Sequence, residues 1–195
     1  MRLAEKSGNN RHLIIMLHGT GGSAEDLFSI GNILDANATF VGIEGDVLEN
    51  GMRRYFERYP DGSFNLESLT VETKKVAEVI KELISKYPDY RKTIIGYSNG
   101  ANILTSIFKT YENLDLDNAI LYHPSVTLEG QPVLAQKAAV LLTSGLNDPF
   151  ITQEGFANLA SEYRAANVDT SVFSHEAGHQ LMHEELDASR QFLDL

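Results

Sequence analysis

Short apolar runs alternate with amphipathic stretches along nearly the whole chain. Six runs, His12–Leu17, Thr39–Ile43, Thr93–Tyr97, Ala119–Tyr122, Ala138–Thr143 and Thr170–His175, have the length and apolar content of strands. Between them, Ala24–Leu34, Leu66–Lys86, Asn99–Tyr111, Thr152–Ala166 and Gln180–Leu193 read as helices. The segment Leu66–Lys86 shows the helical period most clearly. Leu69, Thr73, Val76, Val79, Ile80, Leu83 and Ile84 mark one face, and Glu72, Lys74, Lys75, Glu78, Lys81 and Glu82 fill the other. Strands that alternate with helices predict a mostly parallel sheet covered by helices on both faces. Unbroken runs such as Ala138-Ala139-Val140-Leu141-Leu142 suit strands buried on both sides.

Two stretches break the rhythm: Glu44 to Asn65, with Gly45, Gly51, Pro60 and Gly62, and His123 to Gln136, with Pro124, Gly130 and Pro132. Neither is large enough for a lid domain, so the 195 residues are expected to form one domain, 1–195. In an open α/β sheet, ligands bind beyond the carboxyl ends of the strands, where such loops gather. A net charge of −11 argues against nucleic acid or an anionic membrane surface as partner. With no cysteine there is no disulfide, thiolate metal site or cysteine nucleophile. The opening residues lack the apolar core of a signal peptide, and no apolar stretch approaches a membrane span, so a soluble cytoplasmic protein is the expectation.

The chemistry concentrates at Gly96-Tyr97-Ser98-Asn99-Gly100, which joins a predicted strand to a predicted helix. Strand, tight Gly-x-Ser-x-Gly turn and helix form a nucleophile elbow, in which a strained serine projects above the sheet. Side chains at Gly96 and Gly100 would collide with neighbouring backbone there. The bland alternative is a glycine-rich turn whose serine merely caps the helix. A serine nucleophile needs a base, a group to orient that base and donors for the oxyanion. Asp148 follows one strand end in Ser144-Gly145-Leu146-Asn147-Asp148-Pro149, and His179 follows another in Glu176-Ala177-Gly178-His179. Among the other histidines, His12 opens the first strand and is expected to be exposed. His18 is expected to hydrogen-bond the neighbouring loop, His123 to line a pocket, and His175 is the next choice as base. The order Ser98, Asp148, His179 is the order of α/β-hydrolase triads. Backbone N–H groups of Thr20 and Asn99 would complete the oxyanion site. A rival reading exists: Gly19-Thr20-Gly21-Gly22-Ser23-Ala24, with Glu44 twenty positions after Ala24, fits a dinucleotide fingerprint. It leaves the elbow, Asp148 and His179 unexplained.

Leu17-His18-Gly19-Thr20-Gly21-Gly22, Gly96-Tyr97-Ser98-Asn99-Gly100-Ala101-Asn102-Ile103, Gly145-Leu146-Asn147-Asp148-Pro149 and Gly178-His179-Gln180-Leu181 together resemble the phospholipase/carboxylesterase family of the α/β-hydrolases. The resemblance implies an α/β-hydrolase fold without a large lid, a triad of Ser98, Asp148 and His179, and oxyanion amides at Thr20 and Asn99. It implies hydrolysis of small or medium carboxylic esters through an acyl-serine, with no metal or cofactor. Thioesterase or lysophospholipase activity on the same triad is the alternative, and a non-catalytic binding protein a more distant one. Asn99 stands where many members have glutamine, closer to the bacterial carboxylesterases than to the acyl-protein thioesterases. With only about ten residues before the first clear strand, the leading antiparallel strands of the full sheet are expected to be trimmed or absent. Met52, Tyr55 and Phe56 are candidate pocket walls beside His18 and His123, and Arg53, Arg54 and Arg58 are expected to form a solvated face. The partner is a small-molecule ester, without nucleic acid or membrane insertion; a homodimer stays open.

Overall fold

The computed structural model describes residues 1–194. In chain order the strands are β1 (Leu3–Lys6), β2 (His12–Leu17), β3 (Thr39–Ile43), β4 (Val47–Glu49), β5 (Met52–Arg54), β6 (Arg91–Tyr97), β7 (Asn118–Tyr122), β8 (Ala139–Gly145) and β9 (Thr170–His175). The helices are α1 (Phe28–Asp35), α2 (Leu66–Lys86), α3 (Asn99–Phe108), α4 (Gln153–Ala165) and α5 (His183–Phe192). Seven strands make one sheet in the order β1-β3-β2-β6-β7-β8-β9. All neighbours are parallel except β1, which runs antiparallel to β3 and sets Leu3 opposite Ile43. This is the mostly parallel α/β sheet expected of an α/β-hydrolase, and among the described residues no large lid stands over it.

Period-2 alternation divides the core. Leu13, Ile15 and Leu17 of β2 pack on one face with Leu69, Val76 and Ile80 of α2, Leu104 and Ile107 of α3 and Phe156 and Leu159 of α4. Ile14 and Met16 point to the other face, with Ile30 and Leu34 of α1 and Leu186 of α5. Because both faces are covered, the central strands are wholly buried, which explains their unbroken apolar runs. Asn65 caps α2 by accepting the Glu67 and Ser68 amides, both at 3.1 Å.

Four local differences from expectation have physical causes. One antiparallel leading strand, β1, is present; it is mostly exposed and carries no alternation that would betray it. The irregular stretch holds a small hairpin, β4–β5, joined by Asn50 and Gly51 at φ 51° and 79°. Two successive positive φ angles at Asn-Gly are the signature of a type I′ turn. α1 begins only at Phe28, after a series of turns, so no helix opens directly on the glycine loop as a dinucleotide fingerprint requires. His12, expected at the surface, is buried between Asp35 and Thr93 Oγ1, each 2.8 Å from one of its ring nitrogens. Burial lowers its pKa, against the raising pull of Asp35. No helix among the described residues is long and apolar enough to cross a membrane.

The sheet's most demanding contact lies where α3 leaves β6. A Cβ on Gly100 would overlap the Leu17 carbonyl oxygen, and one on Gly96 would sit 2.6 Å from the Gly100 oxygen. Both neighbours are backbone in the buried centre of the sheet and have nowhere to move. Gly100→Ala is therefore expected to cost about 3 kcal/mol or more in denaturant unfolding. A loss below about 0.5 kcal/mol, the range of neutral surface changes, would contradict this packing.

Candidate active site

Ser98 occupies the turn between β6 and α3 with φ 52° and ψ −111°. A serine at positive φ is strained, and the surrounding backbone holds it there. The Ser98 N–H donates to Tyr122 O at 2.9 Å, and the Ser98 carbonyl accepts from Asn102 N–H at 2.9 Å. This conformation places Ser98 Oγ 2.7 Å from His179 Nε2.

Asp148 and His179 come from neighbouring loops that are joined directly. Leu146 N–H donates to His175 O at 2.7 Å, Asn147 N–H to Ala177 O at 3.1 Å, and Asn147 Nδ2 to Glu176 O at 2.6 Å. Gly145 lies so close to the carbonyls of Ala177 and Gly178 that a side chain there would overlap them. His179 Nδ1 is 2.7 Å from Asp148 Oδ2, while Asp148 Oδ1 accepts the Phe150 amide at 2.9 Å. Tyr97 O–H donates to His179 O at 2.9 Å, and the Tyr97 and Phe150 rings flank the imidazole at 5.9 and 4.6 Å. The structure thus brings Ser98, His179 and Asp148 into one hydrogen-bonded line. Burial pushes the Asp148 carboxyl up; the Phe150 amide, then His123 and His179, outweigh it and hold the pKa below the usual carboxylate value.

Behind Asp148 lies a second set of polar groups that the sequence did not assemble. His123, at φ 52°, presents Nδ1 to Asp148 Oδ2 at 3.0 Å and Nε2 to the Glu185 carboxylate at 3.1 Å. Glu185 also accepts from Thr143 Oγ1 at 2.5 Å and from Met182 N–H at 2.7 Å. His175 Nε2 sits 3.1 Å from Glu185 Oε2, outside hydrogen-bonding geometry, while its Nδ1 accepts the Ala177 amide. Donor atoms of His123, His175 and Glu185, and of His123, Asp148 and His179, lie within 4.8 Å of one another, a spacing that also occurs around metals. Here both carboxylates already accept amide and imidazole donors, and we read the group as a hydrogen-bonded network.

The loop after β2 is held in place from beneath. His18 Nδ1–H donates to Gly19 O at 2.6 Å and its Nε2 accepts the Gly45 amide at 3.0 Å, so the ring is the neutral Nδ1–H tautomer. Burial favours that neutral form by lowering the His18 pKa. Tyr55 O–H donates to Ile43 O at 2.5 Å and accepts from His18 N–H at 3.0 Å. The Thr20 hydroxyl accepts from Arg54 Nη1 at 2.6 Å. Arg54 also donates to Phe56 O at 3.1 Å and pairs with Glu49 at 3.3 Å. It is 3% exposed, which corrects its assignment to a solvated face. Burial and then the Arg58 charge lower its pKa to about 10, against the pull of Glu49, so it stays cationic at neutral pH.

A cavity of about 540 Å³ opens over Ser98 and is lined by Thr20, Arg54, Arg58, Phe64, Tyr97, Asn99, Ser125, Phe150 and His179, among others. A shallower hollow of about 380 Å³ continues from it past Phe64, Ser125, Val126 and Phe150. The expected pocket walls are not part of this lining. Tyr55 and Phe56 are fully buried, because their segment folds back onto the sheet and fills the core beneath the β2 loop. Met52 points outward from β5, His18 lies under the loop, and His123 is buried behind Asp148. Phe64 and Phe150 take the place of these side chains, and neither carried a sequence signal beyond being aromatic in a loop. Glu44, the acid of the dinucleotide reading, is taken up by Arg2 at 2.6 Å and the Ala24 amide at 3.3 Å.

The family model for the dienelactone hydrolase family matches residues 2–191 of the chain. The protein named "Putative hydrolase MhqD" of Bacillus subtilis (strain 168) is 36% identical over 98% of this chain and 97% of its own length. The Bacillus cereus carboxylesterase structure superposes with a TM-score of 0.91 at 33% identity, covering 100% of this chain and 93% of that one. A protein of unknown function from Agrobacterium tumefaciens superposes with a TM-score of 0.89 at 32% identity, covering 98% and 94%. The strained serine elbow, the parallel sheet and these matches along nearly the whole sequence lead to one conclusion: the chain belongs to the dienelactone hydrolase family of the α/β-hydrolase superfamily.

Proposed function

We propose that this protein is a serine carboxylesterase acting on small or medium carboxylic esters, of the phospholipase/carboxylesterase type. The observation that carries the reading is the unbroken line from Ser98 Oγ to His179 Nε2 and from His179 Nδ1 to Asp148 Oδ2, both at 2.7 Å, at the floor of the cavity. Kinship with hydrolases and likeness to the Bacillus cereus carboxylesterase support it.

In this reading Ser98 Oγ attacks the ester carbonyl carbon as His179 Nε2 takes its proton. Asp148 holds the Nδ1–H tautomer and balances the imidazolium that forms. The negative carbonyl oxygen is bound by the backbone N–H groups of Thr20 and Asn99, the second at the positive end of α3. His179 then gives its proton to the departing alkoxide, leaving an acyl-serine. Water attacks that ester with His179 again as base, and Ser98 is regenerated with release of the acid. The hollow along Phe64, Val126 and Phe150 offers apolar surface for the acyl or alcohol part of a substrate. A site open to solvent suits soluble esters better than lipid droplets.

Ser98→Ala is expected to lower kcat for a short-chain aryl ester by about a millionfold and to abolish labelling by a fluorophosphonate probe. A folded variant that keeps more than about a tenth of the wild-type rate would show that another group is the nucleophile. Thr20→Val keeps the backbone N–H but removes the acceptor for Arg54, loosening the loop that must meet the oxyanion. Steady-state kinetics on the same ester should show kcat reduced about tenfold with little change in KM, as for loss of transition-state binding. An unchanged kcat would show that the Arg54 contact does not position the loop.

A further inference from the structure

Asp148 faces two imidazoles, His179 in the cavity and His123 behind it. Its Oδ1 is taken by the Phe150 amide, and its Oδ2 faces both His179 Nδ1 at 2.7 Å and His123 Nδ1 at 3.0 Å. Glu185 is placed in a similar way. One of its oxygens accepts the Met182 amide at 2.7 Å, where Glu185 closes the first turn of α5, and the other accepts the Thr143 hydroxyl at 2.5 Å. Amide N–H groups only donate, so each carboxylate is held in its ionised form by a bond that a carboxylic acid proton would disfavour. His123 lies between the two, with no exposed side-chain surface, and each ring nitrogen faces a carboxylate oxygen. A neutral imidazole donates at one nitrogen only. Satisfying both contacts requires both protons.

We propose that His123 is a permanently charged imidazolium that bridges Asp148 and Glu185, and that as a positioning residue it holds Asp148, still ionised, in line with His179. The inference rests on the reading of Ser98, His179 and Asp148 as the triad. Its first half, the charge state of His123, is measurable without any catalysis.

Two consequences follow from the geometry. The first is mechanical. Asp148 is fixed by three donors, and through His123 and Glu185 its position is tied to the first turn of α5, the helix that follows the His179 loop. The second is electrostatic. A cation between two buried carboxylates offsets their mutual repulsion, and its bond to Asp148 helps hold that carboxyl ionised beside His179. Other groups facing His123 are His175 on β9, whose ring is 5.5 Å away, and Tyr97 on β6, at 6.0 Å. Burial raises the Tyr97 pKa, which keeps that phenol neutral. His175 Nδ1 accepts the Ala177 amide at 3.1 Å. For His123 itself burial works to lower the pKa; the hydrogen bond and charge of Glu185, then those of Asp148, outweigh it and raise it.

The test has two arms on the full-length protein. In the first, ¹⁵N–¹H correlation spectra of the wild-type histidine rings are followed from about pH 6 to about pH 9, across and above the ordinary histidine titration. His123 should show two protonated nitrogens throughout; one unprotonated nitrogen anywhere near neutrality overturns the proposal. In the second, kcat and KM for an aryl ester at neutral pH are compared among wild type, His123→Gln and His123→Gln with Glu185→Gln. Losing the cation alone leaves two buried carboxylates without it, and kcat should fall about tenfold with little change in KM. Removing the Glu185 charge as well should restore part of that loss. A double variant no faster than the single one, in folded protein, would make His123 merely structural and overturn its electrostatic role. Fluorophosphonate labelling of the wild type separates the two readings. An unlabelled Ser98 would sink the esterase reading, while the ring spectra still decide the charge of His123.

Discussion

A backbone-to-backbone contact sets the terms for the rest of the molecule. Gly100, in the first turn of α3, lies against the carbonyls of Leu17 and His18, and Gly96 lies against Gly100 itself. No residue with a Cβ fits either position. That closeness brings the N-terminus of α3 beside the loop after β2, so that Asn99 and Thr20 border the same cavity as Ser98. It also forces Ser98 into the left-handed region, from which its hydroxyl meets His179. The strain of this turn is small beside the burial that surrounds it, since β2, β6 and β7 supply the centre of the core on both faces.

Around the elbow, polar groups are stabilised by one another more than by water. Asp148, His123 and Glu185 are buried together, and each has its donors or acceptors supplied from several elements. A buried charge that lost one of these partners would pay the desolvation cost alone, so the network is all-or-nothing. The same logic holds under the β2 loop, where the Tyr55 hydroxyl, the neutral His18 ring and the Arg54 guanidinium fill specific hydrogen-bonding positions. The loop that borders Ser98 is thereby fixed from its buried side, leaving its outer side open to the cavity.

How much of this is legible in the sequence depends on the range of the interaction involved. Runs such as Leu13–Leu17 or Val140–Leu142 announce buried parallel strands because burial on both faces removes every polar position. That Ser98, Asp148 and His179 come together is legible because each follows a strand end, where an α/β sheet gathers its loops. β1 is not, since an exposed edge strand needs no pattern, whereas the β4–β5 hairpin did carry its Asn50-Gly51 signal inside a stretch that reads as irregular. Pairings between distant polar residues leave no local trace. His12 with Asp35 and Thr93, Arg54 with Thr20, and His123 with Asp148 and Glu185 all depend on tertiary approach. For the same reason Tyr55 and Phe56 look like pocket walls in the sequence and prove to be core.

The most direct test of the account is to trap the acyl-enzyme. The protein would be mixed with an activated aryl ester, quenched in acid within the first turnover and digested for peptide mass mapping. One added acyl mass is expected, located on Ser98. An acyl group on another residue, or hydrolysis with no adduct under conditions that trap a reference serine esterase, would contradict it.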